Sequence, residues 1–242
     1  MKLYAYYLSD EVTTRMIEPI RGIAGAKVRL LHCSEIAAVV SEFDGEHVAI
    51  TRESVLAHDR VVRSVLAETT PLPFRFGTVV DEEQLQSYLN SHHVALKAQL
   101  ERVRGCVEMS VKVTWNLEAV RQEAARDEAQ DETNGEMSRM VKGSGTAFLV
   151  AKRREILGEE VLKERAASVA AWLAKCVGAS VREAQVSVQP MKSLVVSAAH
   201  LVERERLEEY RSALRRARME RSELHFLTSG AWPPYSFTEI NS

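Results

Sequence analysis

Cys106-Val-Glu-Met-Ser-Val-Lys-Val-Thr-Trp115 alternates apolar and polar side chains. Val107, Met109, Val111 and Val113 fall on one face and Glu108, Ser110 and Lys112 on the other, the period of a half-buried β-strand. The second half of the chain can be counted outward from this strand. Between residues 121 and 145 apolar side chains nearly vanish, which reads as a solvated helix end running into a mobile loop. A helix is expected from Phe148 to Val177, with Leu157, Val161, Val169, Trp172 and Cys176 in register and Gly178 as its C-cap. Two alternating strands follow, Val181–Gln189 and Ser193–Val202. A charged helix over Glu203–Met219 should bury Leu207, Tyr210 and Leu214, and Leu224–Leu227 closes the series as a strand. The order β-α-β-β-α-β is that of the split βαβ, ferredoxin-like sandwich, with two helices on one face of a four-stranded antiparallel sheet.

Upstream of Cys106 the elements are shorter. Leu3–Leu8 reads as a strand, Glu11–Arg21 as a short helix, and Lys27–His32 and Ile36–Phe43 as two strands. Asp44-Gly45 allows a further short strand through Val48–Ile50. Thr51 is placed to cap a helix whose buried stripe is Val55, Val62 and Leu66. In Pro71-Leu-Pro-Phe-Arg-Phe-Gly77 the two prolines enforce extended backbone. Phe74 and Phe76 then share one face and Arg75 takes the other. The next helix carries Leu85, Leu89, Leu96, Leu100 and Val103 on one stripe. The fold class is therefore α+β in two domains. Residues 1–104 form an N-terminal domain of antiparallel sheet and helices; residues 105–242 form the ferredoxin-like domain, with its loop at 121–145 and an aromatic-proline tail. A length of 242 residues accommodates this division.

Composition removes several functions. Thirty-two basic and 34 acidic residues leave a formal charge of −2, without the basic excess that nucleic acid or an anionic membrane surface demands. No uncharged apolar run approaches membrane-spanning length. The apolar start of the chain is too short for a signal-peptide core. Cys33, Cys106 and Cys176 are isolated, which argues against a disulfide scaffold or a thiolate zinc site and for the reducing cytoplasm.

No catalytic constellation emerges. His92 and His93 diverge by about 100° on a helix and have no acidic or thiol ligand at i+3 or i+4, so no metal is expected there. On the leucine wheel His92 falls within the apolar stripe and His93 at its edge. His58-Asp59 lacks a nucleophile. Asp59 stands beside an apolar stripe, as does Arg75, and the two are expected to form a structural ion pair pinning the proline-rich segment to the helix. Lys142-Gly-Ser-Gly-Thr146 has the wrong order for a phosphate loop and reads as a hinge. The arginines from Arg204 to Arg221 are interleaved with glutamates, as on a solvated helix face. No cofactor is called for.

Four stretches are more specific. His58-Asp-Arg-Val-Val-Arg-Ser-Val-Leu-Ala67 followed by Pro71-Leu-Pro-Phe-Arg-Phe-Gly-Thr78, then Glu108-Met-Ser-Val-Lys-Val113, then Gly230-Ala-Trp-Pro-Pro-Tyr-Ser-Phe237, resemble in order the gas vesicle protein F/L family over nearly the whole chain. The resemblance implies a non-enzymatic accessory protein of gas vesicle formation, cytoplasmic and vesicle-associated, with a ferredoxin-like second domain. Its implied partners are the small hydrophobic shell protein and other gas vesicle accessory proteins. The candidate protein interface is Phe74, Arg75, Phe76, Trp232, Pro233, Pro234 and Tyr235, since aromatic surface could mask an apolar shell subunit before assembly. The same aromatics could instead pack onto their own domain. The rival reading is a small-molecule-binding or regulatory ferredoxin-like protein, for which His58, Asp59 and Arg75 would converge on a polar pocket.

Overall fold

The strand Lys2–Ser9 (β1) contains Leu3, Tyr4, Ala5, Tyr6, Tyr7 and Leu8, all fully buried. Strict alternation would divide its three tyrosines between the faces. Instead the pairing with Ile36–Glu42 (β3) shifts between Ala5 and Tyr7, Ala5 lying opposite Val40 and Tyr7 opposite Val39. The extra residue is a bulge, and it brings Tyr4, Tyr6 and Tyr7 into one apolar cluster with Ile17, Ile23, Val61, Val62 and Val65. The computed structural model describes residues 2–123, 126 and 144–240, with side chains of the final stretch described from residue 158. Most of the loop expected at 121–145 lies outside the described residues, as do Lys142 and Gly143 of the expected hinge; residues 121–123 are helical.

The first sheet is antiparallel in the order β2-β3-β1-β4, β2 being Val28–Cys33 and β4 Leu72–Pro73, with Val79–Asp81 (β5) also pairing with β1. No strand forms over Val48–Ile50. The physical reason is that β3 already has β2 on one edge and β1 on the other. The helix expected at Glu11–Arg21 shrinks to Thr14–Ile17 (α1), with Glu18 still helical as its C-cap, because Pro19 has no amide hydrogen to continue the ladder. Arg52–Arg63 (α2) contacts β1, and Glu82–Val103 (α3) contacts β1, β2 and β3. All five predicted α3 residues are buried.

Two helical stripes differ from expectation. In α2 the buried residues are Ala57, His58, Val61 and Val62, while Val55 is 42% exposed. The inward stripe includes a histidine, which hid it from a reading based on apolar residues. In the long helix Ser144–Val177 (α4) the stripe is Leu162, Ala166, Val169, Leu173 and Val177, displaced by one residue from all but Val169; Leu157 lies outside the described side chains. Gly178 does not end the helix in a turn but begins a 3₁₀ segment, Gly178–Ser180.

The second sheet, also antiparallel, has the order β7-β8-β6-β9, where β6 is Cys106–Thr114, β7 Glu183–Val188, β8 Leu194–Glu203 and β9 His225–Trp232. Helix Leu207–Glu220 (α5) packs against α4 and buries Tyr210 and Leu214 as expected, together with Ala213 and Ala217, whereas Leu207 is half-buried. β9 runs five residues beyond the expected Leu227 and absorbs Gly230, Ala231 and Trp232. By its contacts the chain divides into one unit of Met1–Met109, Leu201–Glu205 and Gly230–Ser242, and a second of Ser110–His200 and Arg206–Ser229.

Candidate functional site

Helix α2 begins with a reciprocal cap: the Thr51 hydroxyl accepts from the Ser54 amide at 3.1 Å, and the Ser54 hydroxyl from the Thr51 amide at 3.0 Å. Two turns later it delivers His58, 4% exposed, to the tyrosine face of β1. The Tyr4 hydroxyl lies 2.8 Å from His58 Nδ1 and the Tyr235 hydroxyl 3.2 Å from Nε2. The Gly77 amide donates to the Tyr4 oxygen at 3.1 Å. Each nitrogen of the buried ring thus has a tyrosine hydroxyl as its partner, and a neutral imidazole donates to one of them and accepts from the other. Burial pushes the His58 pKa down to about 4 and that of Tyr4 up to about 12. Tyr6 stacks on the imidazole at 5.8 Å, and Phe76 meets it edge-on at 5.8 Å.

Neighbouring backbone is fitted to these hydroxyls. The Tyr6 oxygen accepts from the Ile23 amide at 2.8 Å and lies 2.9 Å from the Ser41 hydroxyl. A Cβ at Gly22 would fall 1.9 Å from it, so only glycine fits. Gly77 adopts φ +92°, a turn conformation that side chains resist, and thereby aims its amide at Tyr4. The segment between β4 and β5 thus leaves the edge of β1 and returns to it: the Phe74 amide donates to the Tyr6 carbonyl and the Ala5 amide to the Thr78 carbonyl.

Residues 230–239 cross this unit as a strap. The Arg63 guanidinium lies 4.6 Å from the centre of the Trp232 ring, a cation–π contact. Pro233, Pro234 and Phe237 are buried. The Ser236 amide and hydroxyl donate to the two oxygens of Glu108 at 2.7 and 2.8 Å, so a carboxylate only 7% exposed has both oxygens engaged. Gln99 and the Glu239 backbone exchange hydrogen bonds at 3.1 and 3.4 Å. A second polar group joins Arg104 to Asp10, Glu11 and Glu101. Beside it Arg204 donates to the Thr70 hydroxyl at 2.6 Å, which itself donates to the Cys106 carbonyl.

The expected Asp59–Arg75 pair does not form. Asp59 faces Arg63 one turn on, at 3.8 Å, while Arg75 is exposed at the tip of the turn, with Phe74 turned inward. Of the candidate interface, Phe74, Pro233 and Pro234 are buried, Phe76 and Trp232 are half-buried, and Arg75 is exposed. Tyr235 is 36% exposed: its hydroxyl points inward to His58 and leaves part of its ring outside. His92 is exposed and stacked on Tyr88, not within the apolar stripe; His93 holds the half-buried position. Among the described residues no His, Cys, Asp or Glu group could hold a metal ion, and no helix is long and apolar enough to cross a membrane.

The gas vesicle synthesis protein GvpL/GvpF family matches residues 2–239. The chain belongs to that family. Gas vesicle protein F of a Streptomyces species is 26% identical over 245 residues, covering 99% of this chain and 100% of that one. Gas vesicle protein L of the same source is 26% identical over 258 residues, covering 98% and 92%. Gas vesicle protein F1 of Halobacterium salinarum is 24% identical, covering 99% and 93%. The fold is that of the GvpF crystal structures from Anabaena, with TM-score 0.79 at 19% identity and 100% and 97% coverage, and from Microcystis aeruginosa, with TM-score 0.79 at 18% identity and 99% coverage of both chains.

In this GvpL/GvpF chain the site also includes Tyr4, Tyr6, Ser41 and Glu108, which are not among the candidates drawn from the sequence. The three tyrosines of β1 were a visible signal. Glu108 was not, because it stands where alternation places outward polar residues and is buried by a strap 128 residues away.

Proposed function

We propose that this chain serves gas vesicle formation as a non-enzymatic accessory protein that binds the small hydrophobic shell protein in the cytoplasm. The binding surface we assign is the strap and the turn beside it. The accessible groups are Arg75, the edge of Phe76, Trp232 and the outer face of Tyr235, held in place by the buried Phe74, Pro233 and Pro234. The observation that carries the reading is family membership across residues 2–239, with these partly exposed aromatics on a rigid support. His58 is unsuited to ligand chemistry, since both its nitrogens are engaged by tyrosines. We also read the second unit as ferredoxin-like, because β6 and β8 are central while β7 and β9 form the edges, as two interleaved βαβ units require.

Immobilised shell protein tests the surface. Trp232→Ala and Arg75→Ala should each weaken capture about tenfold, the effect of losing an interface anchor. Arg75→Ala should leave the melting temperature unchanged, because Arg75 is exposed. Capture that persists undiminished in folded variants would remove these residues from the interface.

A further inference from the structure

In the second unit, β7 is the terminal strand of its sheet, and among the described residues no strand pairs with its outer edge. Edge strands are normally guarded by lysine, proline or a bulge. Ala184-Gln-Val-Ser-Val188 has no ionisable side chain and no proline, and every residue of it is exposed, Val186 at 48%. Beside the strand runs a largely apolar groove in which Ala184 and Val186 face Ala170, Leu173 and Val177 of α4, with Arg182, Glu183 and His200 also in its lining.

The hydrogen-bond phase of the edge follows from one bond. The Gln189 amide donates inward to the Val195 carbonyl of β8. Backbone groups alternate in direction along a strand, so Gln185 and Ser187 also bond toward β8, while Ala184, Val186 and Val188 present their N–H and C=O groups outward. Ala184 and Val186 line the groove, and by the alternation of side chains Val188 falls on the same face.

We propose that β7 is a self-pairing edge that joins two copies of this chain, antiparallel, about a two-fold axis through Val186. That register pairs all the outward backbone groups: Val186 faces the partner's Val186 and Ala184 faces the partner's Val188. On the opposite face Gln185 meets the partner's Ser187, and Glu183 meets the partner's Gln189, so apolar faces apolar, polar faces polar and no like charges oppose. The two grooves join into one apolar surface on the helix side of an extended sheet. A contact of one strand is much smaller than the roughly 1,600 Å² of a standard stable interface, so the association is weak and rises with concentration. It uses the second unit, whereas the proposed shell-protein surface lies on the first, so either can fail without the other.

Sedimentation velocity of the full chain from about 10 μM to about 1 mM, the range in which weak pairs populate, should show the mass rising from 27.1 kDa toward twice that value. Val186→Asp, which sets carboxylate against carboxylate, should weaken pairing at least tenfold while the far-UV circular dichroism stays unchanged. In a Cys176→Ala background, Val186→Cys should form a disulfide-linked dimer under mild oxidation, since directly opposed strand residues about 5.5 Å apart suit that bond. Gln185→Cys in the same background should not. A chain that remains monomeric at the highest concentration, a dimer indifferent to Val186→Asp, or a Val186→Cys chain that is not trapped would each overturn the proposal.

Discussion

In the first unit the Tyr4 hydroxyl meets His58 at 2.8 Å, and in the second the Tyr210 hydroxyl meets His200 at 2.7 Å. Each tyrosine ring stands edge-on to its imidazole, and burial lowers both histidine pKa values to about 4. The pairs differ on the far side of the ring. His58 meets Tyr235 of the strap, whereas His200 borders the groove between α4 and the β7 edge. One histidine is sealed by a distant segment of the chain, and its counterpart lies beside a surface left open. Both rings are buried, at 4% and 2% exposure, but only His58 is reached by a segment from the far end of the chain.

The strap is most directly challenged at Phe237, which is buried and anchors it. Phe237→Ala should cost about 3–5 kcal/mol, seen as a lower midpoint in chemical unfolding. A cost below about 1 kcal/mol would mean that the strap contributes little to the first unit.

The next largest effect is on pH dependence. Both histidines are held neutral in the folded chain with pKa about 4, below the 6.5 of an unfolded one. The unfolded state therefore takes up protons first as pH falls. Their contribution is fully present above pH 6.5 and is lost between 6.5 and about 4, by up to about 3 kcal/mol for each ring. His58→Gln and His200→Gln should each flatten the stability-against-pH curve in that window, and the double variant should flatten it more. A slope unchanged in both single variants would refute this assignment.

The smallest effects compare two tyrosines of β1. Tyr4→Phe leaves the Gly77 amide and His58 Nδ1 without their partner and should cost about 1–3 kcal/mol. The Tyr7 hydroxyl is buried with no hydrogen-bond partner among the described residues, so Tyr7→Phe should be neutral or slightly stabilising. Equal losses in thermal unfolding would show that hydroxyl satisfaction does not distinguish the two sites.

Much of the architecture was legible where one signal acted alone. The α3 leucines define their stripe without interruption, and alternation located the strands from Cys106 to Val202 closely. The reading failed where the buried face is chemically mixed. His58 belongs to the α2 stripe but is polar, so a purely apolar pattern points to Val55 instead. Ala166 is too small to mark the α4 stripe against Trp172 and Cys176. The bulge in β1 has no local signature, and the burial of Glu108 depends on contacts remote in sequence. Aromatic-proline motifs marked the segments that build the site, and Phe74, Pro233 and Pro234 take the alternative of packing inward.

The strap also imposes an order of events on synthesis. A ribosome completes residues 1–109 well before it reaches residue 239, and in that interval Glu108 and His58 have no partners from the strap. The whole of the second unit is translated before the first can close. The first unit is therefore first to be made and last to be finished, and an interrupted translation would release it with His58 and Glu108 lacking their strap partners.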